Sequence, residues 1–264
     1  MKFNSNIFKI IKSFNLVLME IMYSVNKSLN LKKNLVSSEF SKNGYLVIEN
    51  FIDEIVCNKI IEDIDYFITK YPEEIFNVNN KNCDFRLWGF ENFSDEAKKY
   101  LMNKKLNEII NNYDILFKNK KSFVLGAKLI ANDHRMGSGG GEWHKDRTNR
   151  KYKYCKALVY LNDVDENNGP FQYIKGSHKG SFLIRNFIKK NFGFDKKNFS
   201  DDEINNNFYN DIVTFKKPKG TVIIFDGTGI HRGKPIEKNT RYALTNYYRN
   251  SDETFPYKMI SQKN

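Results

Sequence analysis

Apolar positions divide the chain into two textures. Over residues 1–34, Ile7, Ile10, Ile11, Phe14, Val17, Leu18, Ile21 and Val25 recur at helical spacing, which predicts an amphipathic helix. From Ser37 the pattern changes. Gly44-Tyr45-Leu46-Val47-Ile48 reads as a strand. Asp53 then stands as N-cap to a helix with the stripe Val56, Ile60, Ile64, Phe67 and Ile68, stopped near Pro72. Residues 73–94 show no regular pattern, and a second helical stretch is predicted from about Asp95 to Tyr113. Beyond it, runs rich in Val, Ile, Phe and Tyr occur at 122–132, 155–161, 169–174, 211–216, 220–226 and 240–249. Turn residues such as Asn162-Asp163, Asn167-Asn168-Gly169 and Asp226-Gly227 separate them. That rhythm predicts an antiparallel barrel or sandwich, interrupted at 181–209 by a mostly helical insertion. The fold class is α+β, helices first and β-barrel second, with no repeat of 20–50 residues. Residues 1–36 form a basic helical extension and 37–264 the main domain.

Composition narrows the class. The 264 residues carry 43 Lys and Arg against 31 Asp and Glu, a formal charge of +12, with 40% hydrophobic and 15% aromatic residues. That is enough apolar material for a packed core. The charge-free stretch Ser13 to Met19 ends at Glu20, far short of the ~18–20 apolar residues of a spanning helix, and no cleavage site marks a signal peptide. Cys57, Cys83 and Cys155 are dispersed, so no disulfide framework is legible and a cytoplasmic location is the expectation. In residues 1–34 six lysines stand against Glu20. Such a stripe docks on the protein's own body or on a second subunit, with an anionic membrane surface as the alternative. Net charge alone admits nucleic acid, lipid or a phosphorylated metabolite, and an AT-rich coding bias produces it equally well.

Histidine placement carries the chemistry. Gly140-Gly141-Glu142-Trp143-His144-Lys145-Asp146 puts an imidazole and a carboxylate two residues apart, on one side of an extended segment. His231 lies 87 residues later, just past the run Thr221 to Phe225. Two imidazoles and one carboxylate with open positions make the facial triad of non-haem Fe(II) oxygenases. Arg241 follows His231 by ten residues and opens the run Arg241-Tyr242-Ala243-Leu244-Thr245-Asn246-Tyr247. Alternation puts Arg241, Ala243 and Thr245 on one face, where small neighbours leave room for an inward guanidinium. A buried arginine needs an anion, and the distal carboxylate of 2-oxoglutarate fits its fork.

These residues stand in an order that resembles the phytanoyl-CoA dioxygenase-like group of Fe(II)/2-oxoglutarate-dependent oxygenases, over roughly residues 38–250. The resemblance begins with Phe40-Ser41-Lys42-Asn43-Gly44-Tyr45-Leu46-Val47-Ile48 and continues through His144-Lys145-Asp146. Leu161-Asn162-Asp163-Val164-Asp165-Glu166-Asn167-Asn168-Gly169-Pro170 and Gly176-Ser177-His178-Lys179 follow, and His231 and Arg241 close it. The resemblance implies a double-stranded β-helix, a cupin-like jelly-roll barrel with the N-terminal helices packed on it. It implies Fe(II) held by His144, Asp146 and His231, with O2 as oxidant. Arg241 would clamp 2-oxoglutarate, and Lys128 occupies a place where the group often has another cosubstrate contact. Arg241 stands one residue closer to the distal histidine than in many relatives. Gly233 replaces a hydroxyl residue of some members, and Ile174-Lys175-Gly176 lacks a proline common before that turn. Retention of Asp146 argues against the halogenating branch.

Other readings weigh against each residue. His178 reads as a structural turn residue, His134 as a loop residue and Trp143 as packing beside the metal loop. The segments 71–95 and 181–209 are expected to cover the barrel mouth, where Arg86, Arg135, Arg147, Arg150 and Arg185 favour a small anionic substrate such as a nucleotide sugar, glycan intermediate or acyl-CoA. Two other classes compete: a nucleic-acid-oxidising oxygenase, suggested by the charge, and a non-catalytic metal-binding barrel. Nucleic acid is the weaker partner, because such oxygenases carry their arginines at a different distance from the distal histidine.

Overall fold

The computed structural model describes residues 35–77, 83–113, 120–131, 141–146, 154–190, 192–193, 196–250 and 257–261, together with Leu18. The predicted extension at 1–34 otherwise lies outside the described residues. So do His134, Arg135, Arg147 and Arg150.

Two antiparallel sheets face each other. The larger contains β1 (Tyr45–Ile48), β2 (Phe76–Asn77), β3 (Asp84–Trp88), β4 (Lys120–Ile130), β6 (Cys155–Tyr160), β10 (Val222–Asp226) and β12 (Thr240–Asn250), in the order β1-β10-β6-β12-β4-β3-β2. The smaller contains β5 (Trp143–His144), β7 (Phe171–Ile174), β8 (Asn198–Phe199), β9 (Ile212–Phe215) and β11 (His231–Gly233), in the order β8-β5-β11-β7-β9. No strand pairing joins the sheets among the described residues. The closed barrel expected from the resemblance is therefore an open sandwich, because two separate edges remain on each sheet.

Register explains which side chains meet. In the larger sheet, Leu46, Val222, Ile224, Cys155, Ala157, Val159, Leu244 and Val124 share one face and form a continuous core with four helices. These are α1 (Leu35–Asn43), α2 (Glu54–Lys70), α3 (Asp95–Leu101) and α4 (Lys104–Tyr113), of which α2 buries Cys57, Ile60, Ile64 and Phe67. The 3.6-residue spacing of that stripe produces the contact. The opposite face looks toward the smaller sheet, where Tyr160, Ile223 and Phe225 interleave with Phe171, Tyr173 and Phe215. Burial on both faces explains why β10 reads as the unbroken apolar run Val-Ile-Ile-Phe.

Three expectations change. The helical stretch predicted from Asp95 to Tyr113 is two helices, broken at Met102-Asn103, where the Asn103 side chain accepts a hydrogen bond from Leu106 N at 3.1 Å. Residues 73–94, without regular pattern in sequence, contain β3. Its inward residues Asp84 and Arg86 are charged, so the strand lacks the apolar alternation that reveals its neighbours.

The third change concerns the insertion. It folds as α5 (Gly180–Lys190) and α6 (Asp201–Phe208), with Ser200 and Glu203 forming a capping box. Phe182, Ile204 and Phe208 pack with Trp143, Ile174, Phe199 and Ile230. Along β7, Phe171 and Tyr173 face the larger sheet while Ile174 faces these helices. The insertion thus backs the smaller sheet instead of covering a mouth between the sheets. Arg185 goes with it and lies exposed beside the Phe182 ring, 5.9 Å from its centroid. No helix of the described residues is long and apolar enough to cross a membrane.

Candidate metal centre

His144 and His231 are cross-strand partners, because β5 pairs with β11 at that one position. Each belongs to the face of the smaller sheet that looks inward, and their ring centroids are 4.5 Å apart. A tight turn after β10 delivers His231. Asp226 accepts from both the Thr228 backbone N–H (2.9 Å) and its hydroxyl (2.6 Å), and the Ser177 hydroxyl accepts from Ile230 N at 2.7 Å. Asp146, two residues beyond His144, is anchored by its own N–H donating to Gly227 O at 2.9 Å.

One ligand atom from each of His144, Asp146 and His231 lies within 4.8 Å of the others. Asp146 Oδ1 is 3.9 Å from His144 Nε2, and Oδ2 is 3.5 Å from His231 Nε2. The outer nitrogens are already committed: His144 Nδ1–H donates to Glu142 O at 2.9 Å and His231 Nδ1–H to Gly229 O at 3.0 Å. A carbonyl only accepts, so each ring is the tautomer that leaves the Nε2 lone pair free and turned to the carboxylate. Burial pushes the His231 imidazole down to about 3 against the pull of Asp146, and it lowers His144 as well. Both rings are therefore neutral near pH 7, the form that ligates metal. Burial works against ionisation of Asp146, but Lys156 and the two imidazoles outweigh it and hold the carboxyl below its usual range.

The donor set fits a metal ion on one further observation. Asp146 Oδ2 is buried and accepts no hydrogen bond, a costly state for a carboxylate oxygen unless a cation completes it. Gly227 makes room for this oxygen. A Cβ there would stand 2.2 Å from Asp146 Oδ2 and 2.7 Å from Tyr154 Cδ1. Gly227→Ala is accordingly expected to displace the carboxylate and weaken metal uptake by at least about tenfold, as loss of a ligand's supporting contacts does elsewhere. Co(II) titration followed by visible absorption checks it.

Arg241 is 4% exposed, and Ala243 and Thr245 are buried on the same inward face, as their alternation predicts. Its guanidinium lies between the sheets. Nη1 is 3.3 Å from where a Cβ on Gly169 would stand, and that same Cβ would meet Lys234 O at 2.7 Å. It makes no hydrogen bond or ion pair with any described residue. Burial pulls its pKa down, only partly offset by nearby Tyr160 and Asp84. A buried guanidinium with five donors and no acceptor suits a carboxylate ligand.

Lys128 is not brought into this group. It pairs in register with Tyr242, on the face opposite Arg241, and its Nζ binds Asp65 of α2 at 2.7 Å. Arg86 lies on the inward face but is held bidentately by Asp84, at 2.7 and 3.1 Å. Trp143 is packing, as expected: it is 1% exposed, its Nε1 donates to Asp201 at 3.0 Å, and Arg232 lies 4.5 Å over its ring. His178 is a buried turn residue whose Nε2–H donates to Ser41 O at 3.0 Å. Sequence reasoning missed Lys156 of β6, which donates to Asp146 Oδ1 at 2.8 Å. A lysine inside an otherwise apolar strand run, Cys-Lys-Ala-Leu-Val-Tyr, was the available signal.

Solved structures share this architecture. HygX from Streptomyces hygroscopicus, solved with nickel and 2-oxoglutarate bound, superposes with a TM-score of 0.59 at 14% identity, covering 85% of this chain and 89% of its own. The epimerase SnoN from nogalamycin biosynthesis, solved with Fe3+, alpha ketoglutarate and nogalamycin RO, gives 0.59 at 11% identity, covering 87% and 94%. A Pseudomonas putida prolyl-4-hydroxylase gives 0.55 at 14% identity, covering 81% and 97%. At these identities the likeness speaks for the fold. Among curated proteins, none matches the chain in sequence. Residues 40–240 match the phytanoyl-CoA dioxygenase (PhyH) family, and the chain belongs to that family.

Proposed function

We propose that the chain uses Fe(II) held by His144, Asp146 and His231, with 2-oxoglutarate clamped by Arg241, to oxidise a C–H bond of a small anionic metabolite. Its class, a 2-oxoglutarate-dependent oxygenase, follows from its family. One observation carries the residue assignment: two neutral imidazoles converge on a buried Asp146 carboxylate oxygen that accepts no hydrogen bond, and a guanidinium unpaired among the described residues is buried between the same two sheets. A metal held only for stability would leave Arg241 unexplained. The +12 charge admits an anionic substrate, to which Arg86 on the inward face adds nothing because Asp84 already pairs with it. We assign the oxygenase unit to residues 37–264, with 1–36 as an extension.

When bound, the iron and 2-oxoglutarate supply an oxidant strong enough for an unactivated C–H bond; hydroxylation consumes one O2 and yields succinate and CO2 with the alcohol. The chain's own contribution is placement. The Nδ1–H bonds to Glu142 O and Gly229 O fix both ring planes before any ligand arrives. Arg241 would set the direction from which a dicarboxylate enters, and Phe171, Tyr173 and Phe225 pack around the His231 ring, which is 3% exposed.

Aerobic incubation with Fe(II), 2-oxoglutarate and a panel of nucleotide sugars, acyl-CoA esters and other phosphorylated metabolites tests the reading. Succinate formed in step with an oxidised substrate is expected, and Arg147→Ala should raise the substrate KM while leaving the 2-oxoglutarate KM in place. Succinate production that His144→Ala leaves intact would contradict the metal assignment.

A further inference from the structure

Lys156 is 7% exposed and stands on the inward face of β6, in one lateral row with Phe225 of β10 and Tyr247 of β12. Its Nζ lies 4.6 Å from the Tyr247 ring centroid, 5.5 Å from that of Tyr154 and 5.8 Å from that of Phe225. Three ring faces thus confine the ammonium, leaving Asp146 Oδ1, at 2.8 Å, as its hydrogen-bond acceptor. The two oxygens of Asp146 are made unequal. Oδ1 is engaged in a charge-assisted bond, and Oδ2, turned to His231 Nε2, has no partner.

That inequality matters for coordination. A carboxylate can give a metal one oxygen or two. With two imidazoles and one oxygen, three positions of an octahedral ion stay open, enough for a two-point chelate and O2. A second oxygen would take one of them. We propose that Lys156 is a positioning residue that holds Asp146 as a one-oxygen ligand and so keeps open the coordination position that 2-oxoglutarate needs. The role rests on the reading of the triad as an Fe(II) site.

A buried Lys–Asp pair is a poor stability device, since an apolar pair of similar volume commonly does as well or better. A positioning role also has an unusual sign. A cation on the carboxylate draws charge away from the metal, so its removal favours metal binding while it impairs chelation. A merely structural lysine would lower both together.

Lys156→Met and Lys156→Arg are compared with the wild type in two titrations. Co(II) alone is followed by its visible d–d absorption. Then 2-oxoglutarate is added to anaerobic Fe(II)-loaded protein and followed by the charge-transfer absorption of the chelate. K156M is expected to bind Co(II) as tightly as wild type or more tightly, yet to bind 2-oxoglutarate at least about tenfold more weakly, the usual scale for an outer-shell partner. K156R, which keeps a charged N–H donor, should recover most of that loss. The inference is overturned if K156M, with a wild-type circular dichroism spectrum, binds 2-oxoglutarate normally or loses metal and 2-oxoglutarate alike. Should K156M not fold, K156R against Lys156→Gln carries the comparison, and equal 2-oxoglutarate affinities overturn the role. A wild-type protein that takes up Co(II) but gives no charge-transfer band overturns the reading of the site and this role with it.

Discussion

His144→Ala is expected to lower Fe(II) affinity by at least about 100-fold and to abolish 2-oxoglutarate turnover, with little change in melting temperature of the metal-free protein. The magnitude follows from sharing: a four-ligand structural zinc site is worth about 10–16 kcal/mol, roughly 3 kcal/mol per ligand, and each 1.4 kcal/mol is tenfold. The stability expectation separates His144 from Asp146. Removing the imidazole leaves no buried charge behind. Asp146→Ala would strand Lys156, which is 7% exposed and has Asp146 as its anionic partner, at a cost of about 3–5 kcal/mol. Both variants should bind metal at least about 100-fold more weakly, but only Asp146→Ala should also melt early. Metal titration and thermal unfolding of the two variants, side by side, check both statements.

Arg241→Met is expected to move stability and ligand binding in opposite directions. In the metal-free protein Arg241 is 4% exposed and has no anionic partner among the described residues, so an apolar replacement of similar length removes an uncompensated charge. Thermal stability should rise. Affinity for 2-oxoglutarate should fall by about 30-fold or more, since truncating one member of a buried charge pair costs about 2–5 kcal/mol. Metal binding should be unaffected, because Arg241 contributes no ligand atom to the triad. Arg241→Lys should restore only part of the affinity, as an ammonium lacks the planar fork. An Arg241→Met protein that melts lower and still binds 2-oxoglutarate would show a structural arginine instead.

How much of this was legible beforehand depends on what each residue's role requires. His144 and Asp146 could be paired because two positions on an extended segment face one way, whatever the rest of the fold does. His231 needed the fold only coarsely, and the structure makes it the direct cross-strand neighbour of His144. Arg241, Ala243 and Thr245 were placed on one face by alternation alone, and they share it. Lys128 and Lys156 show where such reading stops. Alternation gives two faces without saying which is inward, and pairing with Tyr242 puts Lys128 on the helical side while pairing with Phe225 and Tyr247 puts Lys156 inward. Register is a long-range property, fixed by packing that no local pattern reports. Strand β3 escaped for a related reason: Asp84 and Arg86 satisfy each other on the inward face, so the strand looks polar where its neighbours look apolar. The insertion was legible as helix but not as to its side, because an apolar stripe shows that a helix packs without saying against which sheet surface.

In the proposed function, metal and 2-oxoglutarate bind together at one site made of His144, Asp146, His231 and Arg241. Calorimetric titration of 2-oxoglutarate into anaerobic protein, once loaded with Fe(II) and once metal-free, tests it most directly. Binding of one equivalent that requires the metal is expected, since chelation and the Arg241 contact act on the same molecule. Equal binding with and without Fe(II), or none in either case, would contradict it.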